Sequence, residues 1–424
     1  MIRLGKELFG ICRSITGNGQ LKTLRILKKK EKKLKIGFFK TNKRYFDWFL
    51  PYEWNIKDAY VKDPNGYKVI DFKNNNLHVV GYSFPIKKKI KKKDLLEKLH
   101  TLPRQKNYIP YITSYYKKIW GFCCSENLKK KIISKYRNDD LFEISIDSKL
   151  KKNGKMHYGE YFIKGKSKKE ILISSYICHP SMANNELSGP LVAMKLIDHF
   201  KKKKNKYSLR FIFVSETIGV IAYINKNLKK MKQNIIAGYV LTCIGDERKY
   251  SYMPSIHGNS ISDKVVYELF KRKKINYKKY SFLERGSDER QYNSPNVSLP
   301  IGSIMRSKYQ TYSEYHTSAD IFGHVVTQKG LNQSFNFVKE CINIINKEPR
   351  PKLLTICEPQ MSKRNLYPSL STKIKTNDTK NIMNFLAYCD GKNNLTEISR
   401  LIKIKKSKAK NIFNLLLKNK LISI

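Results

Sequence analysis

The chain has 424 residues, 41% of them hydrophobic, enough for a large core and two or three domains. Its formal charge of +51, from 85 Lys plus Arg against 34 Asp plus Glu, would ordinarily point to nucleic acid or an anionic membrane. Lysine far outnumbers arginine and is spread along the whole chain, whereas a phosphate-reading face favours bidentate arginine, so specific nucleic-acid binding is not expected. The lysine runs at 28–33, 87–93 and 201–204 read as solvated helix ends and linkers. Eight cysteines without a CxxC pair read as reduced thiols of a cytoplasmic protein. Residues 1–10 lack the apolar core of a signal peptide, and no run approaches ~18 apolar residues, so no membrane span is expected.

In chain order, 5–10 and 21–33 predict two short helices around the Gly17-Asn18-Gly19 turn. Between 41 and 105, short alternating stretches punctuated by turns such as Asp63-Pro64-Asn65-Gly66 predict an inserted β-rich domain, with a helix near its end at 94–100. The flanking segments 1–40 and 106–350 together form the predicted α/β domain. Within it, apolar strands at 158–163, 171–177, 209–215, 235–244 and 299–305 alternate with helices at 190–200, 218–228, 262–273 and 328–345. Continuous apolar strands between amphipathic helices imply a mostly parallel sheet covered on both faces. Residues 351–378, with several prolines and no period, read as a linker. Helical spacing at 382–387, 395–402 and 409–416, followed by a short terminal strand, predicts a winged helix over 379–424, read as a protein-contact module rather than a DNA reader.

Ligands in such folds gather where strand C-termini meet helix N-termini. Four segments put polar side chains there. The run Ile177-Cys178-His179-Pro180-Ser181-Met182-Ala183-Asn184-Asn185-Glu186 follows one strand; Ser215-Glu216-Thr217 ends the next; Thr242-Cys243-Ile244-Gly245-Asp246 ends a third. The fourth is Glu314-Tyr315-His316-Thr317-Ser318-Ala319-Asp320, and ahead of it lies the polar cluster Glu284-Arg285-Gly286-Ser287-Asp288-Glu289-Arg290. Two histidines and a carboxylate delivered from strand ends match the ligand set of a zinc hydrolase, in which the metal brings the pKa of bound water towards ~7. Singly, His179 also reads as a loop histidine held by ordinary hydrogen bonds, and Glu216 as a favourable charge at a helix start.

The motif His316-Thr317-Ser318-Ala319-Asp320, with Gly286-Ser287-Asp288, Glu216 and the His179 loop, resembles the zinc-dependent exopeptidase fold. Phe46-Asp47-Trp48, Leu99-His100-Thr101-Leu102-Pro103, Thr113-Ser114-Tyr115-Tyr116 and Trp120-Gly121-Phe122 extend the likeness nearly end to end to a bacterial aminopeptidase-like family often linked to surface-polysaccharide biosynthesis. The resemblance implies a phosphorylase/hydrolase-like α/β core with a mostly parallel mixed sheet, an inserted β domain and a C-terminal winged helix. It implies Zn2+ held by His179, Glu216 and His316 with Asn185 alongside, one ion being expected rather than two because of the departures below, and a peptide-like or amino-sugar-conjugate substrate. Glu186, Asp288 and Glu289 are the candidates for positioning the attacking water. The family pattern calls for an aspartate at 185, a glutamate at 215 and an aspartate at 242, where this chain has Asn185, Ser215 and Thr242. An amide lacks the charge and second oxygen of a metal-bridging carboxylate. Two readings follow: an altered single-metal amide or peptide hydrolase, or a catalytically inactive binding or scaffold protein in surface-polysaccharide biosynthesis.

Overall fold

The long apolar runs of the sequence become the middle of one eight-stranded sheet. In the computed structural model, which describes residues 1–364, 366 and 377–423, these strands are β1 (Lys35–Lys40), β2 (Lys155–Ile163), β3 (Ser167–Tyr176), β4 (Tyr207–Val214), β5 (Ile235–Leu241), β6 (Tyr250–Met253), β7 (Tyr277–Lys279) and β8 (Ile301–Met305). Their order is β1-β2-β4-β3-β5-β8-β6-β7. The four central strands β4, β3, β5 and β8 run parallel, while β1, β2 and β6 add antiparallel pairings. Every residue of β4 and β8 is buried, as strands covered on both faces require. Helices Ser188–Phe200, Ile218–Asn234 and Ile261–Arg272 follow β3, β4 and the β6 region in the expected places. The edge strands β1 and β7, and β6 beside β7, were not anticipated. They are short, and β7 is Tyr-Lys-Lys, so only pairing with the sheet makes them strands.

A second, four-stranded antiparallel sheet combines Lys68–Asp71, Glu53–Lys62, Leu141–Lys151 and Ile86–Lys91 in that order. Its strand Leu141–Lys151 lies beyond the 41–105 boundary read from the sequence. The lysine run there is also corrected: Ile86–Lys91 is an edge strand, with Ile90 buried and Lys87, Lys88 and Lys89 exposed. Lysine on an edge discourages further strand pairing. Trp54 anchors this sheet to the N-terminal segment. Its indole donates to Ser83 O at 2.9 Å and stacks on Tyr82, whose hydroxyl lies 2.6 Å from Thr16 Oγ1.

The chain divides into two compact units, residues 1–340 and the remainder from 341. Within the second, helices Leu395–Leu401 and Lys406–Lys418 pack with the helix ending at Ala387 around Phe385, Ile398, Ala409 and Leu416. Lys352–Leu353 pairs antiparallel with Ile422–Ser423, so the segment read as a linker supplies a strand. Residues 365 and 367–376 of that segment lie outside the described residues. No helix among the described residues is long and apolar enough to cross a membrane, and all eight cysteines are free thiols.

Arg210 on β4 is 5% exposed and donates to both oxygens of Glu170 at 2.6 and 2.9 Å, with Glu160 at 2.9 Å. Removing one partner of such a buried group strands the other charges. Arg210→Leu is therefore expected to lower unfolding free energy by about 3 kcal/mol in denaturant titration; a change under about 1 kcal/mol would contradict this reading.

Candidate functional site

Four non-glycine residues in the loops at this end of the sheet hold positive φ: Ser181 (41°), Thr217 (60°), Cys243 (46°) and His316 (56°). Such backbone costs on the order of 1–3 kcal/mol per residue and persists where the surroundings over-determine it, commonly at functional sites. The His179 loop passes into a wide, π-type turn, Ala183–Leu187, before the helix Ser188–Phe200. The turn is braced by Asp320, whose Oδ1 accepts from Asn184 N at 2.7 Å and whose Oδ2 accepts from Asn185 N at 2.9 Å. Burial pushes the Asp320 carboxyl up to about 6 against those hydrogen bonds.

His179 is buried, and both of its ring nitrogens meet carboxylates. Nδ1 donates to Glu186 Oε2 at 3.0 Å, and Nε2 lies 3.6 Å from Glu216 Oε2. Burial pulls its pKa down, but the hydrogen bond and charge of Glu186 and the charge of Glu216 outweigh it, for a net rise. Glu186 is itself buried, with Arg13 Nε 3.2 Å from its Oε1, and the same Nε donates to His179 O at 2.9 Å. Arg13 thus ties the N-terminal segment to the strand-end loop. Cys178 Sγ lies 3.5 Å from His179 Nδ1, and together Cys178, His179 and Glu186 form a compact buried donor cluster.

Glu216 is the more open carboxylate, a quarter of its side chain exposed. Its Oε1 accepts from Ser287 Oγ. Burial raises its pKa, opposed by His179 and by the Ser287 hydrogen bond. Asp288 lies alongside, fully buried: Oδ1 accepts from Thr217 N at 2.7 Å, while Oδ2 has no hydrogen-bond partner among the described residues. Burial, then the charge of Glu216, pushes its pKa well up.

His316 completes the group. Its ring centroid is 5.3 Å from that of His179, and Tyr111 packs edge-on against both imidazoles at 5.3 and 5.1 Å. Tyr315 stacks on its other side at 3.9 Å. Burial and His179 press its pKa down to about 2, so the ring is neutral, and its buried Nε2 has no hydrogen-bond partner among the described residues.

The remaining predicted residues are used differently. Glu289 is saturated: Oε1 accepts from Gly286 N, Ser287 N and Tyr309 Oη, and Oε2 from Ser303 Oγ, so it shapes the Gly286-Ser287 turn and has no oxygen left for water. Glu186 is held between Arg13 and His179, which leaves it no freedom to carry water either. Asn185 turns its oxygen to Tyr176, whose hydroxyl donates at 3.1 Å and lies 2.5 Å from Thr242 Oγ1. Ser215 receives Gln20 Nε2 at 2.5 Å and donates to Ile15 O at 2.6 Å. Asp246, close in sequence to Thr242, accepts from Asn184 Nδ2 at 2.9 Å and Arg248 N at 2.8 Å. The sequence reading gave no role to Arg13, Tyr111, Tyr176 or Ser287, although Ser287 stood in the Gly286-Ser287-Asp288 motif. One signal was available for Arg13: in a chain so rich in lysine, Arg13, Arg210, Arg306 and Arg350 are all buried, where a planar guanidinium is worth more than an ammonium.

A family model described as a domain of unknown function, DUF4910, matches residues 2–348. The chain belongs to the DUF4910 family. A second model, of winged helix-turn-helix domains, matches residues 350–424. A Clostridium acetobutylicum protein named for polysaccharide biosynthesis and an aminopeptidase-like domain is 43% identical over 396 residues, covering 93% of this chain and 89% of its own. A crystal structure from the same organism, carrying a peptidase name, covers 99% of this DUF4910 chain and 95% of its own at 40% identity, with TM-score 0.80. The zinc aminopeptidase of Bacillus subtilis (82% of this chain and 95% of its own, 12% identity, TM-score 0.59) shares the fold. The aminopeptidase-like family and mixed α/β zinc-aminopeptidase fold with a winged helix, expected from the motifs, are those found.

Tyr176 is the hub of a neutral network, so its hydroxyl should carry measurable stability. Tyr176→Phe leaves Asn185 Oδ1 and Thr242 without that partner, and about 1–3 kcal/mol of unfolding free energy should be lost in urea. Unchanged stability would show that the three groups are not coupled.

Proposed function

We propose that this DUF4910 protein is an aminopeptidase-type amide hydrolase with one zinc ion, held by His179, Glu216 and His316. The observation that carries the reading is the neutral, buried Nε2 of His316, without a hydrogen-bond partner among the described residues, on a ring 5.3 Å from that of His179, whose own Nε2 faces Glu216. Neutral imidazoles and a carboxylate are the donor set zinc takes, and a carboxylate on the far nitrogen of a ligating histidine fixes its tautomer, the place Glu186 occupies at His179 Nδ1. When bound, zinc would supply a water of lowered pKa and polarise a substrate carbonyl. The rest falls to the chain. Arg13 neutralises Glu186, so that Glu186 orients His179. Ser287 fixes the Glu216 carboxylate by its hydroxyl. Of the three residues first considered for water positioning, Glu186 is clamped by Arg13 and His179 and Glu289 accepts four hydrogen bonds, whereas Asp288 keeps Oδ2 free of any hydrogen bond or ion pair among the described residues and is the candidate for exchanging a proton with water or a leaving amine.

A second ion is disfavoured on chemical grounds. A two-metal site needs a bridging carboxylate, and Asn185, Ser215 and Thr242 are neutral and committed to Tyr176, Gln20 and Ile15. The substrate class is an amide in a peptide or amino-sugar conjugate, a reading supported by the relative named for polysaccharide biosynthesis. The winged helix, whose helix Lys406–Lys418 carries lysines but no arginine for bidentate phosphate or base contacts, is read as a protein-contact module. The absence of a carboxylate at Ser215 favours a second reading, a binding protein of the same pathway that retains the metal but not turnover.

Elemental analysis of dialysed full-length protein should find about one zinc per chain, and His316→Ala or Glu216→Gln should bring it to background. No zinc in the wild-type protein would sink the metal site. Hydrolysis of aminoacyl anilides or N-acyl amino sugars, lost in His316→Ala, would establish the enzyme. Stoichiometric zinc without turnover of either class would favour the binding protein.

A further inference from the structure

Next to the imidazole pair lies a cleft of about 530 Å3 lined by Phe49, Tyr52, Tyr82, Tyr115 and Tyr116. It joins the site through Tyr115, whose hydroxyl is 3.4 Å from that of Tyr111, the residue packed on both His179 and His316. Its two lining segments are tied together where Tyr116 Oη donates to Phe49 O at 2.8 Å. Phe49 and Tyr116 are 56% and 57% exposed, and the hairpin that carries Phe49 also exposes Phe46 and Trp48. Aromatic surface this open, concentrated at one cleft, signals a partner. The hydrolase chemistry proposed above uses none of these rings.

The polar lining narrows the partner. No acidic residue lines the cleft, whereas Lys117 and Lys118 do, together with Asn42, Ser114 and the phenol of Tyr52. Neither lysine is paired with a carboxylate among the described residues. Aromatic faces carry negative charge density and pack against polarised C–H groups, which one face of a pyranose ring presents, while its rim of hydroxyls suits phenol, amide and hydroxyl partners. A purely apolar peptide side chain would offer nothing to the Asn42 amide, the Tyr52 phenol or the exposed ammonium groups of Lys117 and Lys118, the second of which lies 5.7 Å from the Phe84 ring centroid. We infer that this cleft is a subsite for an acidic sugar, a carboxylate-bearing pyranose held on aromatic rings with its charge met by Lys117 and Lys118, adjoining the site of amide cleavage. The inference rests on the hydrolase reading for its placement and adds the substrate class.

The test is isothermal titration of zinc-supplemented full-length protein with trigalacturonic acid, with maltotriose as the neutral probe of equal length. Trigalacturonic acid should bind and maltotriose bind at least about tenfold more weakly, since the charge is what the lysines recognise. The exposed pair Phe49→Ala and Tyr52→Ala should weaken trigalacturonic acid about tenfold, and Lys117→Glu with Lys118→Glu should abolish the preference for the acidic sugar. His316→Ala should leave sugar affinity within about twofold, because the imidazole is not a cleft residue. No trigalacturonic acid binding, equal binding of the two sugars, indifference to the aromatic pair, or tighter binding of uridine monophosphate would overturn the acidic-sugar subsite. Absence of zinc with sugar binding intact would instead overturn only the hydrolase reading.

Discussion

One buried carboxylate organises this molecule: Glu186, shared between Arg13 and His179. A charge this deep inside a protein is tolerated only with a partner, and Arg13 supplies it at 3.2 Å from a segment that also donates to the backbone of the same loop. Pairing Glu186 with His179 Nδ1 decides which imidazole nitrogen carries the proton, and so turns the other toward Glu216. The segment that joins the N-terminal helices Ile2–Phe9 and Asn18–Lys30 is therefore part of the site. Through Thr16, Tyr82 and Trp54 the same segment is continuous with the four-stranded sheet.

The second constraint is the neutral network around Tyr176. Where a dinuclear site would place negative charge, this chain has an amide, a hydroxyl and a phenol satisfying one another in a water-poor interior. Such a network is stable because every polar atom has a partner, and introducing a lone charge would be costly. The carboxyl groups that remain lie on the Glu216 side, with Asp288 behind it, its pKa pushed up by burial and by Glu216. Asymmetry between one charged and one neutral half is what favours one ion over two.

Much of this was legible in the sequence, for physical reasons that particular residues make plain. Strands β3, β4, β5 and β8 are buried over most of their length on both faces and therefore read as largely apolar runs, and His179, Glu216 and His316 stand out because they follow such strands. Ile86–Lys91 looked like a linker because an edge strand with one solvated side spends its alternate positions on lysine. The roles of Glu186 and Glu289 were not legible. Both are glutamates beside motif residues, and only folding shows that one is clamped by Arg13 and the other saturated by four donors. The neutral positions 185, 215 and 242 were readable as departures, but the phenol that links two of them was not.

The account depends on one ion with two imidazole ligands in a site whose neighbouring positions are neutral. Zinc K-edge X-ray absorption on the zinc-loaded full-length protein measures this directly. The account predicts scattering from two imidazoles and oxygen donors, with Zn–N near ~2.0 Å and no metal–metal contribution. A resolved Zn–Zn vector at about 3.5–4 Å, or a first shell without imidazole, would contradict it.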